Sequence, residues 1–157
     1  MYKHLIEYEC PTCNAEFGAY PDGLNDGFKH YNYSKPPVQG LLLDWAEAAA
    51  PGFTDAHRPV LHDTVGRLTR WWLAHRRRPG ADLCHVYHGN DVGWDNGTMM
   101  CEGAPLTPPD LNAFLAAQCD WLARSATALG RVEEIPGWLA ERDRIVAALV
   151  RQLWNGE

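Results

Sequence analysis

Apolar residues recur at helical spacing in four stretches of this chain, and no stretch shows clear alternation of apolar and polar residues. The stretches begin near Pro36, Asp55, Thr107 and Pro136, and they are separated by segments rich in Pro and Gly. A helical period without alternation predicts an all-α fold. Residues 83–87 are the only weak candidate for a strand.

The first two predicted helices are bounded by breaker residues. Pro36 and Pro37 open the first helix, where proline is accepted at the first helical position, and residues 50–52 end it. The second helix is predicted over about 55–77. Four apolar residues mark its buried face: Leu61, Val65, Leu68 and Trp72. Arg76, Arg77 and Arg78 are interpreted as a solvated helix end that complements the helix dipole, with an anion site as the alternative.

The last two predicted helices also carry start and stop signals. Thr107 is an N-cap candidate for the third helix, with Pro108 at its first position, and Gly130 is a good stop. Pro136 starts the fourth helix. Its apolar residues share one helical face: Ile145, Val146, Leu149, Val150 and Leu153.

Composition limits the classes of protein and partner. A chain of 157 residues with 46% hydrophobic residues can bury the core of one domain. A net charge of -6 argues against electrostatic binding to nucleic acid or to a membrane surface. We expect a cytoplasmic protein, because the chain shows no signal peptide and its five cysteines lack the spacing of a disulfide scaffold.

Cys10 and Cys13 form a C-x-x-C pair, which is typical of half a zinc site or of a redox motif. A structural zinc site needs four ligands, and no second C-x-x-C pair follows. Only a coincidence of the fold could supply the rest from the other candidates: Cys84, His85, His88 and Cys101. We therefore predict plain loop cysteines, no metal and no cofactor.

Residues 85–100 read H-V-Y-H-G-N-D-V-G-W-D-N-G-T-M-M and lie within one of two predicted long loops, about 14–37 and 79–106. Glycines allow sharp turns and close approach of a ligand, carboxylates and amides bind hydroxyl groups, and aromatic faces stack on sugar rings or bases. The alternative is an ordered connection, in which Asp and Asn residues cap turns and Trp94 fills a core.

Several motifs match one known family in order and spacing. G-W-D-N at 93–96 follows H-G-N-D at 88–91 and precedes P-L-T-P-P-D-L-N-A-F-L-A-A-Q-C-D-W-L at 105–122. K-P-P-V-Q-G stands at 35–40 and P-D-G-L-N-D at 21–26. Together they resemble the catalytic-acid segment of the six-hairpin glycosidases, in particular trehalase and glycoside hydrolase family 63.

The resemblance covers roughly residues 20–154 and implies part of an (α/α)6 toroid of alternating inner and outer helices. It implies an inverting glycoside hydrolase, or a fragment of its catalytic domain, that acts on a glucosyl-type oligosaccharide or glycoside. A partial toroid should expose apolar helix faces, so self-association is expected. The alternative function is a non-catalytic α-helical protein that binds carbohydrate or another partner.

By match to the family, Asp95 is the general acid. The resemblance also implies a set of substrate-binding residues: Lys35, Gln39, His88, Asn90, Asp91, Trp94 and Asn96. The chain departs from the family at Gly97–Met100, where many relatives have a Pro-Arg pair whose arginine binds substrate. An inverting site also needs a second carboxylate as base, and the sequence identifies none.

Overall fold

The computed structural model describes residues 35–86, 91 and 105–156, and these residues form an all-α structure. They contain four α-helices: α1 (Gln39–Ala49), α2 (Arg58–His75), α3 (Pro109–Leu129) and α4 (Ile135–Leu153). A short 3-10 helix, Asp55–His57, precedes α2. Residues 83–87 give no strand in the described part of the chain, where β pairing is limited to two isolated bridges.

The chain divides into two compact units. One comprises Met1–Pro36 and His85–Pro108, and the other comprises Pro37–Cys84 and Pro109–Glu157. All four helices belong to the second unit, which we call the helical unit. Among the described residues, no helix combines the length and apolarity that a membrane crossing requires.

Breaker residues lie near the ends of the helices, as the sequence predicted, although α1 begins at Gln39 rather than at the prolines 36 and 37. Gly52, with a φ of 82°, follows the end of α1, and Gly130, with a φ of 70°, follows the end of α3. Both glycines adopt the left-handed conformation, which side chains disfavour. The start of α3 lies at Pro109, one residue later than predicted. The second helix ends at His75 rather than near Arg77.

Helix α3 lies at the centre of the helical unit and packs against α1, α2 and α4. Its core-facing apolar residues are fully buried, together with partners on α2 and α4: Leu111, Leu115, Trp121, Leu122, Trp72 and Ile145. Burying each large apolar side chain contributes about 1.5–3 kcal/mol. Val65 and Trp72 are buried as predicted, whereas Leu61 and Leu68 are half-buried.

The apolar residues of α4 do not share one environment. Ile145 is buried, but Val146, Val150 and Leu153 are 46%, 61% and 40% exposed. The face that packs inward carries Trp138, Ile145 and Ala148 instead. Apolar residues occupy more than one side of this helix, so its periodicity alone could not identify the side that contacts α3.

The sequence analysis interpreted the three consecutive arginines after α2 as solvated. In the structure, not all of them are. Arg76 is fully buried, and its guanidinium carbon lies 5.2 Å from the centre of the Trp71 ring. Arg77 donates a hydrogen bond of 2.6 Å to Glu141 on α4. Only Arg78 is exposed. The prediction of a solvated helix end was therefore wrong for Arg76, because its side chain is buried against the Trp71 ring.

Candidate functional site

Most of the predicted sugar site lies outside the described residues. This applies to the general acid Asp95 and to four predicted substrate contacts: His88, Asn90, Trp94 and Asn96. Three predicted contacts are described. Lys35 is exposed, Gln39 is the first residue of α1, and Asp91 is fully buried. Their roles toward a sugar therefore stay predictions.

The Gln39 side chain has one polar atom that makes no hydrogen bond with the described residues. Its side-chain Oε1 is buried and has no hydrogen-bond partner among the described residues. A buried acceptor without a partner costs free energy unless water or a ligand meets it.

A pair of backbone hydrogen bonds joins the two ends of residues 87–105. The Val86 N–H donates to Leu106 C=O at 2.8 Å, and the Leu106 N–H donates to Val86 C=O at 3.0 Å. Reciprocal bonds of this kind define an antiparallel pair. We call this pair the neck. It fixes where the predicted active-site segment leaves and rejoins the described chain.

The Asn112 side chain binds the backbone of Cys84 at both polar groups. Its Oδ1 accepts from the Cys84 N–H at 2.8 Å, and its Nδ2 donates to the Cys84 C=O at 2.9 Å. Asn112 is fully buried on α3, so these bonds are shielded from water. The Asn112 amide thereby bonds the N–H and C=O of Cys84 as a neighbouring strand would. It anchors the backbone two residues before Val86.

A chain of hydrogen-bonded polar groups connects three helices of the helical unit. The Gly40 N–H donates to Gln118 Oε1 at 3.2 Å, and Gln118 Nε2 donates to Thr69 Oγ1 at 2.9 Å. Thr69 then donates to the Val65 C=O at 2.7 Å. The chain links α1, α3 and α2, and both Gln118 and Thr69 are fully buried.

A cluster of polar side chains surrounds Glu134, the residue just before α4. His62 Nε2 lies 3.1 Å from Glu134 Oε2, and Trp138 Nε1 donates to the same oxygen at 3.4 Å. Arg70 and Arg131 lie 3.5 Å and 3.6 Å from this carboxylate. The hydrogen bond with His62 is the main cause that lowers the pKa of Glu134 below its usual value.

An open cleft with a volume of about 290 Å³ borders this group. Residues from α2, α4 and the turn between α3 and α4 line it: Arg70, Leu73, Glu133, Glu134, Gly137, Trp138 and Glu141. The Trp138 ring is covered by the Arg70 guanidinium at 4.9 Å, and it is only 7% exposed. The ring therefore offers no free face on which a sugar could stack.

The described residues give no support to a metal centre. Within residues 35–86, 91 and 105–156, no three His, Cys, Asp or Glu side chains are grouped so that they could hold a metal ion. Burial raises the pKa of the Cys84 thiol to about 12, which keeps it protonated and a poor ligand. Cys10, Cys13 and Cys101 lie outside the described residues.

The sequence interpretation missed the polar side chains that organise the helical unit. Asn112 and Gln118 lie among the apolar positions of α3, next to Leu111 and Cys119. A buried polar residue within an apolar stripe was the available signal, because such a residue requires a partner. The sequence does not reveal that partner, since Cys84 and Thr69 are distant along the chain.

Comparison with known proteins adds no relative: no family model, no curated protein and no solved structure matches the chain. The class that the described residues define is therefore an all-α protein with a closely packed central helix.

Proposed function

We propose that the chain carries the general-acid segment of an inverting glycoside hydrolase that acts on a glucosyl-type substrate, within part of an (α/α)6 toroid. The neck is the observation that carries the proposal. It closes residues 87–105, which contain Asp91 and Asp95, into one segment that follows α2 and precedes α3 along the chain. Connecting segments that a packed scaffold positions are common sites of catalytic residues.

Two further observations support the proposal. Asp91 is fully buried, and a buried carboxylate is usually held by partners. The match at 35–40 places Pro36 and Pro37 before an inner helix, and α1 begins at Gln39 accordingly. Alternation of inner and outer helices is compatible with α3 contacting both α1 and α4.

In the proposed reaction, Asp95 donates a proton to the leaving oxygen while a second carboxylate activates water on the opposite face of the sugar. That second carboxylate should lie roughly 6.5–9.5 Å from Asp95. We propose a cytoplasmic location for this activity, because the five cysteines lack the spacing of a disulfide scaffold. Removing a general acid typically lowers the rate by about 10²–10⁴-fold.

The test compares the parent chain with Asp95→Asn, and with Asp55→Asn as a matched control in an exposed carboxylate. Hydrolysis of trehalose, whose sugar leaving group must be protonated as it departs, is followed by glucose release, and binding of trehalose is followed by NMR chemical-shift changes. The proposal expects hydrolysis that Asp95→Asn slows by about 10²–10⁴-fold and that Asp55→Asn leaves unchanged, with trehalose binding retained in all three proteins. Binding without hydrolysis in the parent chain would favour the carbohydrate-binding alternative. Absence of both would refute the proposal.

A further inference from the structure

The exposed side of α4 carries a self-complementary pattern of side chains. Proceeding along the helix, exposed residues occur at spacings of three or four: Ala140, Asp143, Ala147, Arg151 and Trp154. Such spacing places them along one side of a helix, and Trp154 follows directly after its end. Val146 and Val150 border this row and are 46% and 61% exposed. We call these residues the α4 row.

The row is arranged symmetrically about Ala147. Asp143 lies four residues before Ala147 and Arg151 four residues after it, while Ala140 and Trp154 lie seven residues to either side. When two such helices pack antiparallel, a two-fold axis beside Ala147 brings Arg151 of each copy to Asp143 of the other. The same axis places each Trp154 over the small Ala140 of the other copy.

From this symmetry we propose that the α4 row is the interface of a two-fold symmetric dimer of this chain. Two-fold interfaces require that a surface complements itself, and the opposite charges of Asp143 and Arg151 provide this twice. The small side chain of Ala147 allows close approach at the centre, and Trp154 provides large apolar area at each end. The inference is independent of the proposed glycosidase site, since all the residues of the row lie on α4 or directly after its end.

Both charges keep enough exposure to bind a second copy. Asp143 is 66% exposed and accepts a hydrogen bond of 2.8 Å from Arg142. Arg151 is 60% exposed and donates a hydrogen bond of 2.7 Å to Asp82. A single helix pair buries less area than standard interfaces do, so the dimer should be weak and dependent on concentration.

Charge reversal tests the symmetry directly. Asp143→Arg alone puts two cations together at both ends of the pair, and Arg151→Asp alone puts two anions together there. Each variant should associate at least about tenfold more weakly than the parent chain. An equimolar mixture of the two variants restores opposite charges at both ends, so it should form a heterodimer with nearly parental affinity.

Sedimentation velocity measures association up to protein concentrations on the order of 500 µM, at which a weak dimer with a small interface should be populated. Asp82→Asn removes the intrachain partner of Arg151, and Val60→Asp places a charge on an apolar residue of α2 that is 68% exposed. Val60→Asp should leave the dimer unchanged, and Asp82→Asn should leave it at least as tight, because it frees Arg151 to pair with Asp143 of the other copy. Circular dichroism establishes that each variant is folded.

The expected result is a dimer that each charge reversal weakens and that the mixture restores. A parent chain that stays monomeric would overturn the proposal and leave the α4 row to a different partner. Association that survives both reversals, or a mixture that stays monomeric, would likewise overturn it. Loss of the dimer in Val60→Asp would overturn it as well, because the interface would then lie on α2.

Discussion

Gly40 is the position where one added methyl group should disturb the helical unit most. A Cβ atom at this residue would lie 2.5 Å from Gln118 Cα and 3.1 Å from Gln118 N. Both atoms belong to the backbone of the central helix, which cannot move aside as a flexible side chain can. We therefore expect Gly40→Ala to push α1 away from α3.

The size of the effect follows from opposing contributions. Alanine favours a helix over glycine by about 1 kcal/mol, whereas overpacking of a core costs about 1–3 kcal/mol. Moving α1 also weakens the hydrogen bond from Gly40 N–H to Gln118, which contributes about 1 kcal/mol. We expect a net loss of about 1–3 kcal/mol in the free energy of unfolding. For a chain of this length, each kcal/mol lowers Tm by about 2–4 °C.

Two other helical glycines provide matched controls. A Cβ at Gly137 meets nothing within 4 Å, so Gly137→Ala should stabilise the protein by about 0.4–1 kcal/mol. A Cβ at Gly66 would lie 3.3 Å from Arg70 Nη1, the end of a flexible side chain, so its effect should fall between the two. Urea unfolding followed by circular dichroism gives all three values. A Gly40→Ala variant as stable as Gly137→Ala would refute the reasoning.

Three further predictions concern the polar side chains and the thiols. Asn112→Ala leaves both backbone groups of Cys84 without the amide, so urea unfolding should show a loss of about 2–4 kcal/mol, and a loss below 1 kcal/mol would contradict the role of this amide. Glu134 has a lowered pKa, so its stabilising contribution is present above the usual carboxyl range and is lost as pH falls through the folded-state pKa. The difference in stability between the parent chain and Glu134→Gln should therefore shrink below about pH 4, and a constant difference from pH 7 to pH 3 would disprove the pairing with His62. Burial raises the pKa of both Cys84 and Cys119 to about 12, so iodoacetamide followed by peptide mass spectrometry should label them only in denaturant.

Periodicity and breaker residues were sufficient to predict the four helices, because both act over a few neighbouring residues. Gly130 marks the end of α3, and the local chemistry of such a stop does not depend on the rest of the fold. The burial of individual residues was harder to predict. Val146 and Val150 are as apolar as Ile145, yet only Ile145 faces α3. That difference depends on which side of α4 meets a neighbour, which is a property of tertiary packing.

The candidate site could be predicted less completely than the helices. Motif order led to Asp95 and its neighbours, whose roles rest on the resemblance. Asn112 lies within one of the motifs, but its bonds to Cys84 join residues 28 positions apart. Such long-range pairs cannot be derived from local spacing. Arg76 illustrates the same limit, since a charge at a helix end is usually solvated but here lies beneath Trp71.

The neck has a consequence for how this chain can change over evolution. Because Val86 and Leu106 hold the two ends of residues 87–105 together, the stretch between them can lengthen at little entropic expense. Each doubling of a loop raises its closure free energy by only about 0.6 kcal/mol. Insertions and deletions inside this stretch should therefore be tolerated far better than equal changes in the turn between α3 and α4. New ligand specificities could arise there by exchange of one contiguous piece of sequence.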